Sequence, residues 1–167
     1  MAANQVRRFL EWAYRLLVRA GDCLQPLLLL AFRLNWGWQF FVSGRGKLVD
    51  HGEIVSFFTD LHIPFPDLNA WFVAGLECAG GLLLIAGLMS RPIGLLLTVN
   101  MIVAYLSVEG DRAKVFNFFK DQDPFLQADP FFFLLTSVIV LAFGPGVLSI
   151  DYLLGRFVFR KKRADDD

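Results

Sequence analysis

The sequence predicts an all-α integral membrane protein, a four-helix bundle with flanking amphipathic helices at the membrane interface. Apolar residues make up 56% of the 167 positions and charged residues only 19%, against about 25% charged residues in an ordinary soluble domain. Four apolar runs come close to the roughly 20 residues that cross a bilayer as a helix. Sixteen basic residues balance sixteen acidic ones, so no net field attracts nucleic acid.

The four predicted spans cover residues 24–44, 68–89, 92–109 and 130–148. The third span begins at Pro92, and a proline at the first helical position loses no hydrogen bond. The fourth span contains Gly-Pro-Gly at residues 144–146, which must bend or end the helix. The segments 45–67 and 110–129, which join the spans on one side, mix Phe with polar residues and are expected to form short amphipathic helices.

Both ends of the chain are predicted to lie on the membrane surface. Residues 1–23 form a basic amphipathic pattern, with charged and apolar side chains on opposite sides of a helical wheel. Residues 149–163 are predicted as a second basic interfacial helix, capped by Ser149, and residues 164–167 as an acidic tail. Ten Lys and Arg residues lie on the side of the termini and five on the other side. The positive-inside rule therefore predicts cytoplasmic termini in a cell (inner) membrane.

Polar residues deep in the predicted spans are the candidates for a functional site. Arg33, Glu77 and Asn100 each lie near the middle of a different span. An unpaired charge there costs roughly 2.5–3.5 kcal/mol on insertion scales. We therefore predict a buried ion pair between Arg33 and Glu77, with Asn100 satisfying the remaining hydrogen bonds. Such a cluster either binds a ligand head group or relays protons, or it is a structural pin that fixes helix register.

A second polar feature lies on the first predicted span. Asn35, Gln39 and Ser43 are spaced i, i+4, i+8 and share one face of a helix. Arg33 lies on a different face, so this helix is polar on two sides, unlike a helix surrounded by lipid. The stripe of Asn35, Gln39 and Ser43 is predicted to contact another helix or another chain. The expected partners are membrane lipids, including bound lipid, and other membrane subunits or a second copy.

The sequence contains no motif for an intrinsic redox cofactor. Haem-binding histidine pairs, iron–sulfur cysteine patterns and glycine-rich nucleotide-binding motifs do not occur. His51 and His62 lie eleven positions apart, a poor spacing for metal ligands, and no metal site is predicted. No catalytic residue is assigned, and any electron donor must be a partner or a diffusible reductant.

Three segments resemble the motifs of DoxX-type membrane proteins. The family's first helix is matched by Arg33-Leu34, Gly37, Phe40-Phe41, Gly44 and Lys47-Leu48. Its second helix and following turn are matched by Glu77-Cys78-Ala79-Gly80-Gly81, Gly87-Leu88 and Arg91-Pro92. Its closing motif is matched by Gly144-Pro145-Gly146, Ser149 and Asp151. The resemblance, over residues 27–155, implies a four-helix membrane bundle linked to quinone or sulfur redox chemistry. Some relatives resemble the small membrane subunit of thiosulfate:quinone oxidoreductase.

Two functions are compatible with the sequence. The first is a membrane subunit of a redox or energy-converting complex that binds a quinone-type head group near Arg33, Glu77 and Asn100. Any enzymatic activity would then belong to a quinone-linked oxidoreductase of which this chain is one subunit. The second is a non-catalytic accessory or scaffold subunit that docks onto a larger respiratory or photosynthetic complex. The family resemblance favours the first function, and the lack of redox motifs favours the second.

Overall fold

The computed structural model describes the backbone of residues 2–159 and the side chains of residues 7–157. Within those residues every regular element is helical, which confirms the all-α prediction. The helices are α1 (Ala2–Val49), α2 (His51–Asp60), α3 (Pro66–Ala86), α4 (Ser90–Ser107), α5 (Glu109–Phe116), α6 (Asp123–Leu126), α7 (Pro130–Phe143) and α8 (Ile150–Leu154). A π-helical turn, Gly155–Phe159, follows α8. The predicted basic end of the second interfacial helix, residues 160–163, and the predicted tail, residues 164–167, lie outside the described residues.

Helix α1 is one continuous helix of 48 residues, about 72 Å long at 1.5 Å per residue. Pro26 lies inside it without ending it. No break therefore separates the predicted interfacial segment from the first predicted span, and the helix continues past Gly44 to Val49. Phe9, Trp12 and Leu17 in its N-terminal part are exposed. The placement of this segment on a membrane surface stays a prediction.

Helices α1, α3, α4 and α7 pack around one core. Helix α1 contacts α3 and α7, and α4 contacts α3 and α7. Their shared core contains Phe40, Leu84, Leu97, Met101 and Val140. Helices α3 and α4 are long and apolar enough to cross a membrane. Helix α7 is apolar but has 14 residues, about 21 Å. It ends at Phe143, five residues before the predicted end of the fourth span, because Gly144 with a φ of +76° opens the Gly-Pro-Gly sequence.

Close backbone contact between α1 and α3 depends on glycine. A Cβ atom on Gly37 would lie 2.9 Å from the carbonyl oxygen of Gly81. A Cβ atom on Gly44 would lie 2.7 Å from the carbonyl oxygen of Ala74 and would also overlap the backbone nitrogen of Cys78. Small residues let helices approach in this way inside membranes. The two contacts fix an antiparallel register between α1 and α3, and this register decides which polar side chains meet.

The segments between the spanning candidates are partly helical, as expected. Helix α2 packs on α3. There the His51 Nε2 atom lies 2.9 Å from Asp67 Oδ1, and the His51 ring lies 4.3 Å from the Trp71 ring. On the other segment, the Tyr105 hydroxyl donates to the carbonyl oxygen of Phe125 at 3.1 Å. Both segments are therefore anchored to the spanning candidates α3 and α4.

Candidate functional site

A buried polar cluster lies where α1, α3 and α4 meet. Glu77 is only 2% exposed and accepts hydrogen bonds at both carboxylate oxygens. Its Oε2 atom accepts from the Ser43 hydroxyl at 2.9 Å and pairs with the Lys47 ammonium group. Its Oε1 atom accepts from Asn100 Nδ2 at 3.2 Å. We call Ser43, Lys47, Glu77 and Asn100 the Glu77 cluster; a cation and two neutral donors compensate its buried carboxylate.

Two cavities flank the Glu77 cluster. The first, of 180 Å³, lies beneath α2, and we call it the α2 cavity. Its polar groups include Lys47, Glu77 and Asn100, and its apolar wall includes Phe57 and Phe58. The second, of 150 Å³, is bordered by Ser43, Lys47, Glu77 and the exposed Asp129, and we call it the Asp129 cavity. The cluster therefore separates an apolar cavity from a more polar one.

The predicted ion pair between Arg33 and Glu77 is wrong. Arg33 is buried, with 1% of its surface exposed, but its guanidinium donates to four carbonyl oxygens. They belong to Leu84 (2.8 Å), Ile85 (3.0 Å), Pro145 (2.5 Å) and Leu148 (2.9 Å). The last carbonyls of a helix have no partners within the helix, and a cation is favourable at that end. Arg33 is therefore hydrogen-bonded to the end of α3 and to the loop after α7, and not to Glu77.

The register between α1 and α3 explains this difference. Arg33 lies level with Leu84 and Ile85, seven or eight residues from Glu77, or about 11 Å along the helix. The prediction assumed that the midpoints of two apolar runs lie at one depth. Instead, Lys47, three residues beyond the predicted end of the first span, is the partner of Glu77. Sequence reasoning missed Lys47, although its i, i+4 spacing from Ser43 places both on one helix face.

The closing motif of the family resemblance, with Ser149 and Asp151, lies at the opposite end of the four packed helices. Each carboxylate oxygen of Asp151 accepts a backbone N–H at 2.8 Å, from Met89 and Ser90 at the start of α4. Ser149 caps α8 as predicted, because its hydroxyl accepts from the backbone N–H of Tyr152 at 3.2 Å. These contacts tie the start of α4 to the chain around α8 and indicate a structural role for the closing motif.

The predicted stripe on α1 divides into two parts. Ser43 belongs to the Glu77 cluster, whereas Asn35 and Gln39 are exposed. Gln39 borders a surface groove beside Trp36 and Phe132, whose rings stack with centroids 5.1 Å apart. A role for Asn35 and Gln39 in partner contact stays a prediction.

The chemistry of the α2 cavity suits an amphipathic ligand. The Asn100 amide and the Lys47 ammonium are hydrogen-bond donors, and Glu77 is an acceptor. The rest of the wall is mainly apolar, with Val73, Val103 and the aromatic side chains of α2. Binding sites for small molecules typically combine such an apolar lining with a few polar groups that fix orientation.

Comparison with known proteins agrees with the earlier resemblance. Residues 28–110 match the DoxX family. "Putative oxidoreductase CatD" of Bacillus subtilis is 29% identical over 136 residues, which cover 80% of this chain and 89% of CatD. An uncharacterized protein of Haemophilus influenzae is 33% identical over 135 residues, which cover 75% of this chain and 82% of that protein. No solved structure matches the chain significantly. The chain belongs to the DoxX family.

Proposed function

We propose that this chain is an integral membrane subunit of a redox or energy-converting complex and binds a quinone-type head group in the α2 cavity. Its membrane association follows from the family and from the two apolar helices α3 and α4. The observation that carries the ligand proposal is the Glu77 cluster, which places buried hydrogen-bonding groups beside an apolar cavity. The family resemblance supplies the redox context, and the name of CatD is consistent with it.

In this proposal four helices cross the membrane, namely α1 from Leu29 onwards, α3, α4 and α7. Both termini lie in the cytoplasm. Leu29 is the first buried residue of α1 among the described side chains. The short α7 is continued by the non-helical residues 144–149. Irregular backbone is tolerated at membrane depth only where protein or water satisfies its polar groups. Arg33 does this for the carbonyl groups of Pro145 and Leu148.

The cavity suggests how the head group would be held. The Asn100 amide and the Lys47 ammonium would donate to an oxygen of the ring, and Phe57 and Phe58 of α2 would pack against its apolar part. The chain carries no redox motif of its own, so electrons would come from a partner subunit. The chain would bind and position the ligand, and its own side chains would control hydrogen bonding and water access.

Equilibrium binding of decylubiquinone to the full chain in lipid nanodiscs tests this function. Asn100→Leu removes one partly buried donor, worth about 1–3 kcal/mol, and is expected to weaken binding about 5- to 150-fold. The matched control is Asn117→Leu, which changes an exposed asparagine at the end of α5. Equal affinity of wild type and Asn100→Leu, or no binding by wild type, would contradict the proposal.

A second candidate function is a non-catalytic accessory subunit. The observation that favours it is the exposed amide of Gln39, which lies in a groove between α1 and α7. A polar side chain facing lipid is costly, and a neighbouring helix with a hydrogen-bonding group would satisfy it. Gln39→Leu is then expected to release a partner in native mass spectrometry from native membranes. The control Gln25→Leu changes another exposed glutamine of the same helix and should retain the partner.

A further inference from the structure

The two carboxylate oxygens of Glu77 have different partners. Oε2 contacts Ser43 and Lys47, and Ser43 borders the Asp129 cavity. Oε1 contacts Asn100, which borders the α2 cavity. Lys47 and Glu77 border both cavities. The ion pair therefore lies between the two cavities, and both of its residues line each of them.

We propose that the Lys47–Glu77 pair is a proton-exchange unit that connects water in the Asp129 cavity with the ligand in the α2 cavity. This inference rests on the proposed function, because it assigns a proton source to the same binding site. Lys47 is the proton donor, and its side chain is 25% exposed. Glu77 is the positioning residue, because its buried carboxylate holds the ammonium group between the two cavities.

The charge arrangement around the pair supports this assignment. Among the described residues that border the two cavities, Asp129 is the one further charged side chain. The α4 side contributes the amide of Asn100 and the hydroxyl of Ser107, and α2 contributes apolar side chains. The pair is therefore electrically neutral as a unit, and Asp129 provides a carboxylate at the mouth of the more polar cavity.

The proton transfer is balanced as follows. A flavin- or iron–sulfur-dependent partner subunit supplies two electrons to the quinone, and the product quinol needs two protons. For each proton, an N–H bond of the Lys47 ammonium breaks and an O–H bond forms on the ring oxygen. The resulting neutral amine leaves the Glu77 carboxylate buried without its cation, which is costly. Water in the Asp129 cavity therefore returns a proton to Lys47 before the second transfer.

The test uses the full chain in nanodiscs with bound decylubiquinone, which is reduced at an electrode while infrared spectroscopy follows quinol formation. Lys47→Arg keeps the positive charge, but an arginine stays protonated in proteins and cannot release the proton. With the probe at a concentration that saturates both proteins, we expect Lys47→Arg to slow quinol formation about 100-fold, the scale of general acid catalysis. Lys120→Arg, at an exposed lysine that borders neither cavity, is the matched control and should not slow the reaction.

Asp129→Asn tests the route of the proton independently of the fold of the cluster, because Asp129 is exposed. It is expected to retain probe binding and to slow quinol formation. Normal rates in both Lys47→Arg and Asp129→Asn, with the probe still bound, would overturn the proton-exchange inference and leave the proposed binding function standing. Absence of probe binding by wild type would overturn the proposed function and this inference with it.

Discussion

The guanidinium nitrogen Nη1 of Arg33 lies 2.5 Å from the carbonyl oxygen of Pro145, although 112 positions separate the two residues in the chain. The same guanidinium also donates to the last turn of α3, at Leu84 and Ile85. One side chain therefore joins α1, the end of α3 and the loop after α7. The stability of the fold should depend on it more than on any salt bridge at the surface.

Arg33→Met is expected to lower the free energy of unfolding by about 3–5 kcal/mol, because it leaves the partly buried carbonyl oxygens of Ile85, Pro145 and Leu148 without their donor. Arg33→Lys should recover part of this loss, since an ammonium retains the charge but not the planar fork that reaches several carbonyls. Unfolding in mixed detergent micelles measures the effect. The control Arg91→Met changes an exposed arginine and should stay within about 0.5 kcal/mol of wild type. Similar losses at Arg33 and Arg91 would contradict the structural role.

Lys47 and Glu77 are expected to be energetically coupled. Lys47→Met leaves a buried carboxylate without its cation and should destabilise the protein by about 3–5 kcal/mol. The double variant Lys47→Met/Glu77→Leu should lose about 1–3 kcal/mol less than the sum of the single variants. A parallel cycle of Arg33→Met and Glu77→Leu should be additive within about 0.5 kcal/mol. Strong coupling in the second cycle would indicate an ion pair between Arg33 and Glu77 and would contradict the structure.

Gly44→Ala is expected to destabilise the contact between α1 and α3. The added Cβ atom would overlap the backbone of Ala74 and Cys78, and overpacking of this kind costs about 1–3 kcal/mol. Gly75→Ala is the matched control, because a Cβ atom there meets open space. Alanine has a higher helix propensity than glycine, so Gly75→Ala should stabilise the protein by up to about 1 kcal/mol. Equal effects at both glycines would show that the contact is looser than described.

Asp151→Ala should open the start of α4. The substitution removes the acceptors of two backbone N–H groups, those of Met89 and Ser90, and is expected to cost about 1–3 kcal/mol. Hydrogen–deuterium exchange at these two amides should accelerate while the centre of α4 stays protected. Asp60→Ala, at an exposed position of α2, serves as the control. Unchanged hydrogen exchange in Asp151→Ala would mean that the hydrogen bonds of Asp151 do not stabilise the start of α4.

The orientation of the chain is tested by cysteine labelling in intact cells. In a background with Cys23→Ala and Cys78→Ala, an impermeant thiol reagent is expected to label Asp60→Cys and not Lys162→Cys. The reason is the excess of Lys and Arg on the side of the termini. Labelling of Lys162→Cys alone would reverse the predicted orientation.

Local signals in the sequence predicted the bounds of α3 and α4 closely, but not those of α1, which is continuous from Ala2 to Val49, or the end of α7, which lies five residues before the predicted residue 148. The apolar runs predicted α3 and α4 to within three residues at each end. The Gly-Pro-Gly sequence was predicted to bend or end the fourth span, and it ends α7; Ser149 was predicted as the cap of α8. These features depend on residues a few positions apart, and periodicity and capping preferences describe them directly.

The candidate site was predicted only in part, because it depends on helix register. Glu77 and Asn100 were recognised from their burial in apolar runs, and they do contact each other. The cation that completes the cluster was assigned to Arg33 and is Lys47. Contacts of Gly44 with Ala74 and Cys78 set this register, and no property of either helix alone reveals it. The α2 cavity depends further on how α2 packs on α3.

The four carbonyl groups that accept hydrogen bonds from Arg33 are synthesised at different times. Two of them, Leu84 and Ile85, are made about 50 residues after Arg33, and the other two only after α7 is complete. At 5–20 residues per second, the ribosome needs roughly 6–22 s to reach Pro145. During that time the nascent chain contains at most two of the four carbonyl groups that accept hydrogen bonds from Arg33. A truncated chain lacking the loop after α7 would expose the Arg33 guanidinium, with part of its hydrogen bonds unmade, to the membrane. Quality-control proteases would then distinguish it from the complete protein by this exposed cation.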